Sequence, residues 1–291
     1  MSRNLRVLLF EVPGNPYYNV AFDEALLHVA VDSPEPILRI WRNSVSVVVG
    51  LFSNIDYEVN IPYVEANSIP VVRRFTGGGA VFHDLGNVNY TLVINKGLHD
   101  SDPLVGVDYL YKKLLKGLVD CLKILGARDV EVRNLTDVVV KGFKVSGNSG
   151  TIKGNVYLIH GTLLLSADLN KLYKSLIIPP KAIRLKGKVD PVKYRVRNLT
   201  EILGKDIGYS EVVKSLIESF SKLLSKEPYF DLPTRDELRV SYLFYKHKYS
   251  VKEWNYGLSI SKFHKNLTRL LTNVIDEHVD IVYTAEISRN S

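Results

Sequence analysis

The chain has 291 residues, 46% of them hydrophobic, enough to bury one large core or two smaller ones. No apolar run approaches the roughly 20 residues needed to cross a bilayer, and Met1-Ser2-Arg3-Asn4 leads into a strand-like run instead of a signal peptide, so a cytoplasmic location is expected. A net charge of +7, from 38 Lys+Arg against 31 Asp+Glu, implies anionic partners, and the single cysteine, Cys121, excludes an internal disulfide or a multi-cysteine zinc site.

Residues 5–12 read as a strand. Pro13-Gly14 then turns the chain, and Asn15-Pro16 supplies an N-cap and a first-turn proline for a helix running to about residue 31. Its Tyr18, Ala21, Phe22, Ala25 and Val29 share one face, the spacing of core contact. The β-branched runs 37–41 and 45–49 flank Arg42-Asn43-Ser44 and predict a hairpin. After another strand at 88–94, residues 107–125 carry the clearest helical stripe, from Val107 through Leu114 and Leu118 to Leu125, with Gly126 as its C-terminal cap. Cys121 lies on that stripe, which assigns it to packing.

Residues 129–166 alternate short strands with glycine turns, and the basic run 189–197 reads as a loop or edge strand because of Pro191. Ser210 is placed to cap a helix whose stripe runs from Val212 to Leu224 and ends at Lys226-Glu227-Pro228. Asp231-Leu232-Pro233 reads as a linker, and Thr234 with Glu237 as a capping box. Strand pairs outnumber crossover helices. The expected fold is therefore α/β of the α+β type, a mixed, mostly antiparallel sheet flanked by helices over 1–231, with a small accessory domain over 232–291.

Between two apolar runs stands Arg73-Arg74-Phe75-Thr76-Gly77-Gly78-Gly79-Ala80-Val81-Phe82-His83-Asp84. Three glycines let successive N–H groups converge on an anion, and Arg74 offers a planar fork suited to carboxylate or phosphate. The spacing fits neither a Walker A loop nor G-x-G-x-x-G. It resembles instead the R-R-x-S/T-G-G-G-x-V-x-H-D signature of the lipoate-protein ligase family. Two later blocks agree in order: Gly142-Phe143-Lys144-Val145-Ser146-Gly147 with His160-Gly161-Thr162-Leu163-Leu164, and Arg195-Val196-Arg197-Asn198-Leu199-Thr200-Glu201. Near the C-terminus, Lys248-Tyr249 and Glu253-Trp254-Asn255-Tyr256-Gly257 resemble part of the family's accessory domain, which is abbreviated here or completed by another polypeptide.

The resemblance implies ATP-dependent activation of lipoate to lipoyl-AMP and transfer to a lysine. The acceptors would be lipoyl domains of 2-oxoacid dehydrogenase acyltransferase subunits or the glycine cleavage H protein. It implies that Lys144 bridges the acyl carbonyl and the adenylate phosphate. Arg74, Thr76, Gly77, Gly78, Gly79, Ala80, Val81, Phe82 and His83 would line the ATP and lipoyl-AMP site, with backbone at Val81-Phe82 meeting the adenine edge. Trp41, Gly147, His160, Gly161 and Thr162 would form the acyl pocket, and Asp137 would hold Mg²⁺ on the phosphates. The family's asparagine before that acid is Thr136 here, with Asn134 nearby, and its Arg and Gln after Gly50 are Leu51 and Ser53. These residue types suit the chemistry, because fixed cations and aimed N–H groups stabilise charge building on phosphorus. The rival readings are an octanoyl/lipoyl acyltransferase of the same fold, which in its thioester form needs an exposed thiolate, and a biotin-protein ligase, whose G-R-G-R-x-G-R-like loop is absent. A basic nucleic-acid-binding module is disfavoured by the scatter of its basic residues.

Overall fold

The computed structural model describes residues 3–177 and 195–257. Its strands are β1 (Asn4–Leu8), β2 (Ile37–Trp41), β3 (Ser46–Val49), β4 (Val71–Arg73), β5 (Val81–His83), β6 (Asn87–Asn95), β7 (Val130–Arg133), β8 (Asp137–Val140), β9 (Phe143–Lys153), β10 (Val156–Leu164) and β11 (Glu227–Asp231). Eight form one sheet in the order β11-β1-β2-β6-β10-β9-β8-β7, and three form a second in the order β4-β3-β5. In the large sheet only β1 with its two neighbours is parallel, so the mixed, mostly antiparallel sheet expected from the sequence is present.

Strand β6 runs through the middle and is buried on both faces. Val88, Tyr90, Leu92 and Ile94 join the main core, which α2 (Lys116–Ile124) and α3 (Tyr209–Leu224) cover through Leu118, Cys121, Leu122, Leu216 and Phe220. The alternate residues Asn87, Asn89 and Thr91 point to the opposite face, beneath α1 (Pro16–Val29). Helix α1 starts as its sequence dictates: Asn15 Oδ1 accepts from the Tyr18 N–H at 3.1 Å, and Pro16 occupies the first turn.

The hairpin expected at 37–49 does not form. β2 and β3 lie in different sheets, because the connecting turn is held by the preceding loop: Ser44 N–H donates to Pro13 O at 2.9 Å and Arg42 pairs with Glu11. Val47 and Val49 then pack with Ile55, Val59 and Val71 in a core of their own. The single helix expected over 107–125 is interrupted by a π turn at Tyr109–Leu114, where Leu115 N–H reaches back to Leu110 O. That extra residue lets Leu114 and Leu115 both be buried. Gly126 does close the helix, in the left-handed region at φ 101°. The cap of α3 is Gly208, not Ser210, and Glu227–Asp231 is an edge strand on β1, a position that tolerates Pro228. Residues 189–194 of the basic run lie outside the described residues.

Beyond β11, Thr234 and Glu237 make the expected capping box for α4 (Arg235–Phe244). Its Val240 and Phe244, with Tyr249 and Trp254, pack against Val20, Ala21 and Ala25 of α1 and against Trp41, Val48 and Val72. Residues 258–291 of the accessory segment lie outside the described residues.

Candidate active site

Where β2, β6, β10, β9 and β8 run side by side, Trp41, Asn89, Thr162, Gly147 and Asp137 stand directly opposite one another in a single row. At the usual strand spacing the row is roughly 19 Å long. It floors a cavity of about 320 Å³. The roof comes from the small sheet and its glycine turn (Arg74, Gly78, Gly79, Ala80, Val81, His83) and from Val20 and Asp23 of α1.

Lys144 stands at the Asp137 end, its Nζ 2.6 Å from Asp137 Oδ1. Its stem lies over Gly147, where an added Cβ would come within 3.2 Å of Nζ. The third sequence block fixes its backbone: Lys144 N–H donates to Arg195 O at 2.8 Å, and Arg197 N–H to Lys144 O. Asn134 Nδ2 donates to the other oxygen of Asp137 at 3.3 Å. Asn134 and Leu135 adopt positive φ, so the β7–β8 turn holds non-glycine residues in the left-handed region beside the site.

In the glycine turn only Gly78 takes a positive φ, at 90°. The turn does hold an anion, the carboxylate of Glu58, which accepts from Ala80 N–H at 2.5 Å. Arg74 does not present its fork to open space. Its Nε donates to Thr76 Oγ1 and Gly77 O, Nη1 to Val48 O, and Nη2 to Gly77 O and Gly79 O. Burial lowers its pKa to about 10, so it remains a cation that shapes the turn.

Behind the cavity runs a buried polar chain. His160 Nε2 meets Thr76 Oγ1 at 2.7 Å, and Nδ1 meets Asp23 Oδ2 at 3.2 Å. Asp23 pairs with Arg39 at 2.6 Å and accepts from Thr91, whose oxygen accepts from Trp41 Nε1. Burial opposes the charge on Asp23, yet Arg39 and His160 hold its pKa below the usual carboxylate range. His83 is the reverse: burial first, then Arg74 and His160, push it down to about 3, and it is neutral.

Of the residues expected from the sequence, Trp41, Arg74, Gly78, Gly79, Ala80, Val81, His83, Asp137, Lys144, Gly147, His160, Gly161 and Thr162 line this cavity. Three do not. Thr76 is buried behind it on His160, Gly77 offers its carbonyl to Arg74 and Ser149, and the Phe82 ring packs with Leu164, Ala167 and Leu172. Sequence reasoning missed Asp23, Asn89 and Asn148. The signal for Asn89 was available in polar residues alternating along a strand buried on both faces, whereas Asp23 sat on a helix read only for its apolar stripe. Among the described residues no cluster of three or more His, Cys, Asp or Glu is placed to hold a metal, and no helix is long and apolar enough to cross a membrane.

Residues 15–221 match the model of the lipoyl protein ligase A/B catalytic domain. The chain is 33% identical over 262 residues to lipoate-protein ligase A subunit 1 of Thermoplasma acidophilum, covering 87% of this chain and 97% of the relative. Among solved structures it resembles a bi-partite lipoate protein ligase described with its E2 lipoyl domain from that organism (TM-score 0.76, 33% identity, 89% of this chain and 98% of the other). It also resembles a lipoate-protein ligase A bound with ATP (TM-score 0.74, 32% identity, 88% of this chain and 99% of the other). With a catalytic-domain match over most of its length and the site motifs converging on one cavity, the chain belongs to the lipoate-protein ligase family.

Proposed function

We propose how this ATP-dependent lipoate-protein ligase divides its cavity. Lys144 holds the carboxylate of lipoate against the α-phosphate of ATP, so that the carboxylate oxygen attacks phosphorus, pyrophosphate leaves and lipoyl-AMP forms. The amine of an acceptor lysine then attacks the acyl carbon and AMP departs. The observation that carries this reading is the elongated row from Trp41 to Asp137, with Lys144, the one lysine among the described residues that lines the cavity, at its end. The small sheet supports a nucleotide seat: among the described residues β5 pairs with β3 on one side only, and its other edge leaves backbone groups for a base at Val81-Phe82. Asp137, already among polar partners at the Lys144 end, suits a single protein carboxylate on Mg²⁺ carried by the phosphates, the usual way that ion is held. When bound, the ion would neutralise phosphate charge.

For the acceptor, the likeness to a ligase described with an E2 lipoyl domain supports lipoyl domains of acyltransferase subunits, and the same chemistry extends to the glycine cleavage H protein. The likeness to a subunit 1 and to a bi-partite ligase supports a second polypeptide in the transfer step. These acceptors suit a cytoplasmic enzyme. A cysteine-dependent acyltransferase has no support, since Cys121 is buried in the core and burial pushes its thiol up. Incubation with ATP, Mg²⁺, lipoate and a lipoyl domain, followed by intact mass, tests the reading. A lipoyl mass on the domain that needs ATP is expected; transfer from a lipoyl carrier without ATP would overturn it.

A further inference from the structure

Asn89 stands in the middle of the buried polar face with its amide unused. Neither Nδ2 nor Oδ1 has a hydrogen-bond partner among the described residues, although the residue is 1% exposed and lines the cavity. A buried amide left dry is unfavourable, so a ligand group is the natural partner. Trp41 stands directly opposite it on β2, and the Trp41 ring lies 6.1 Å from that of His83.

The proton of His83 is fixed by its surroundings. Val12 N–H, which can only donate, orients Asn19 Oδ1 at 3.0 Å. Asn19 Nδ2 therefore donates to Asn43 Oδ1 at 2.8 Å, and Asn43 Nδ2 to His83 Nδ1 at 3.2 Å. A neutral His83 then carries its hydrogen on Nε2.

We propose that Asn89 and the Nε2–H of His83 determine acyl specificity, reading the dithiolane sulfurs of lipoate and disfavouring a plain hydrocarbon tail such as that of octanoate. The proposal rests on the ligase reading above. Asn89 lies two strands from Gly147, over which Lys144 is laid, a separation of roughly 10 Å that an extended acid of lipoate's length spans. Trp41, Val20 and Val48 make this end apolar, the Asp23 carboxylate beside them would repel a polyphosphate, and the Arg74 guanidinium against Val48 O is taken up by carbonyls, so the acyl chain is the occupant. Sulfur is a weak acceptor, but a methylene is none, and an octanoyl tail strands both donors. A site built to pair with a polar group rejects the analogue that lacks it.

The test compares kcat/KM for lipoate and octanoate in ATP–pyrophosphate exchange, using the full chain with Asn89 intact, Asn89→Leu and Asn89→Ser. The wild type should favour lipoate by about fivefold or more, the lower bound for leaving a buried polar group unpaired. Asn89→Leu should remove most of that preference by raising the KM for lipoate relative to that for octanoate. Asn89→Ser, which keeps a hydroxyl donor, should retain it. Equal use of the two acids by the wild type overturns the proposal, and that comparison decides alone if the leucine variant does not fold. A folded Asn89→Leu protein with an unchanged ratio, or with both acids impaired equally, overturns it as well. Activation of neither acid by the wild type would instead overturn the ligase reading.

Discussion

Lys144 is compact, half-enclosed and already beside a carboxylate, so its ammonium is placed for oxygen ligands whose charge grows during the reaction. Its effect should fall on rate more than on nucleotide binding. Lys144→Ala is expected to lower pyrophosphate release by about 10²–10³, the range for losing one aimed donor in a preorganised site. Lys144→Arg should restore little, because a planar guanidinium does not replace a point charge between two oxygens. Single-turnover pyrophosphate release checks both, and unchanged release in the folded alanine variant would remove Lys144 from the mechanism. His83 makes a different statement, about stability. Its ordinary pKa near 6.5 in the unfolded chain falls to about 3 in the folded one, so between those values the unfolded state takes a proton that the folded state refuses. Its contribution is whole above about pH 6.5 and is lost as pH falls toward 3, with a slope of up to about 1.4 kcal/mol per pH unit. Urea titrations from pH 7 to pH 4.5 should show a shallower decline for His83→Gln than for wild type, and parallel declines would refute this account.

Strand β10 shows how closely the elements approach at the site. Gly161 sits where an added Cβ would stand 1.9 Å from Asn148 Oδ1, an atom that accepts the Tyr90 hydroxyl at 2.8 Å while the same side chain donates to Thr136 O. Gly161→Ala should therefore displace Asn148, strand the Tyr90 hydroxyl in the core and loosen the turn that carries Asp137. A loss of about 2 kcal/mol or more in urea unfolding is expected, together with a drop in activity. Unfolding within about 0.5 kcal/mol of wild type would show that the strands adjust. The glycine motif and the Lys144 block were legible in the sequence because their backbone and residue types are local. What joins them was not. The row from Trp41 to Asp137 depends on strand register between residues as far apart in the chain as Asn89 and Thr162, and the sheet change between β2 and β3 depends on Ser44 and Arg42 finding partners in the loop at 11–13. Arg74 was read as a ligand fork because its carbonyl partners are set by the path of the turn, which composition does not encode.

For the whole molecule, the division in the sequence near residue 232 has to be weighed against what the segment after it touches. Lys248 is 1% exposed, with its Nζ 2.8 Å and 2.9 Å from the two oxygens of Glu24, and Tyr249 donates to Glu24 at 2.6 Å. The ammonium also lies 4.1 Å from the centre of the Trp254 ring. Glu24 is the neighbour of Asp23 on α1, so this pair ties the C-terminal segment to the helix that anchors the buried polar chain. Nearby, Arg73 donates to the carbonyls of Trp254 and Gly257, while Trp254 Nε1 donates back to Arg73 O. Burial lowers the pKa of Lys248 and Glu24 offsets it, so removing the carboxylate leaves a cation with only the aromatic rings to offset its desolvation. Glu24→Gln should cost about 3–5 kcal/mol, the range for breaking one side of a buried pair. Replacing both partners with apolar residues, Glu24→Leu with Lys248→Met, should cost less than the single change, since well-packed hydrophobic side chains often substitute for a buried pair without loss. Chemical unfolding of the two single variants and the double variant measures the coupling. A double variant no more stable than Glu24→Gln would mean that the aromatic packing, and not the ion pair, holds this segment on α1.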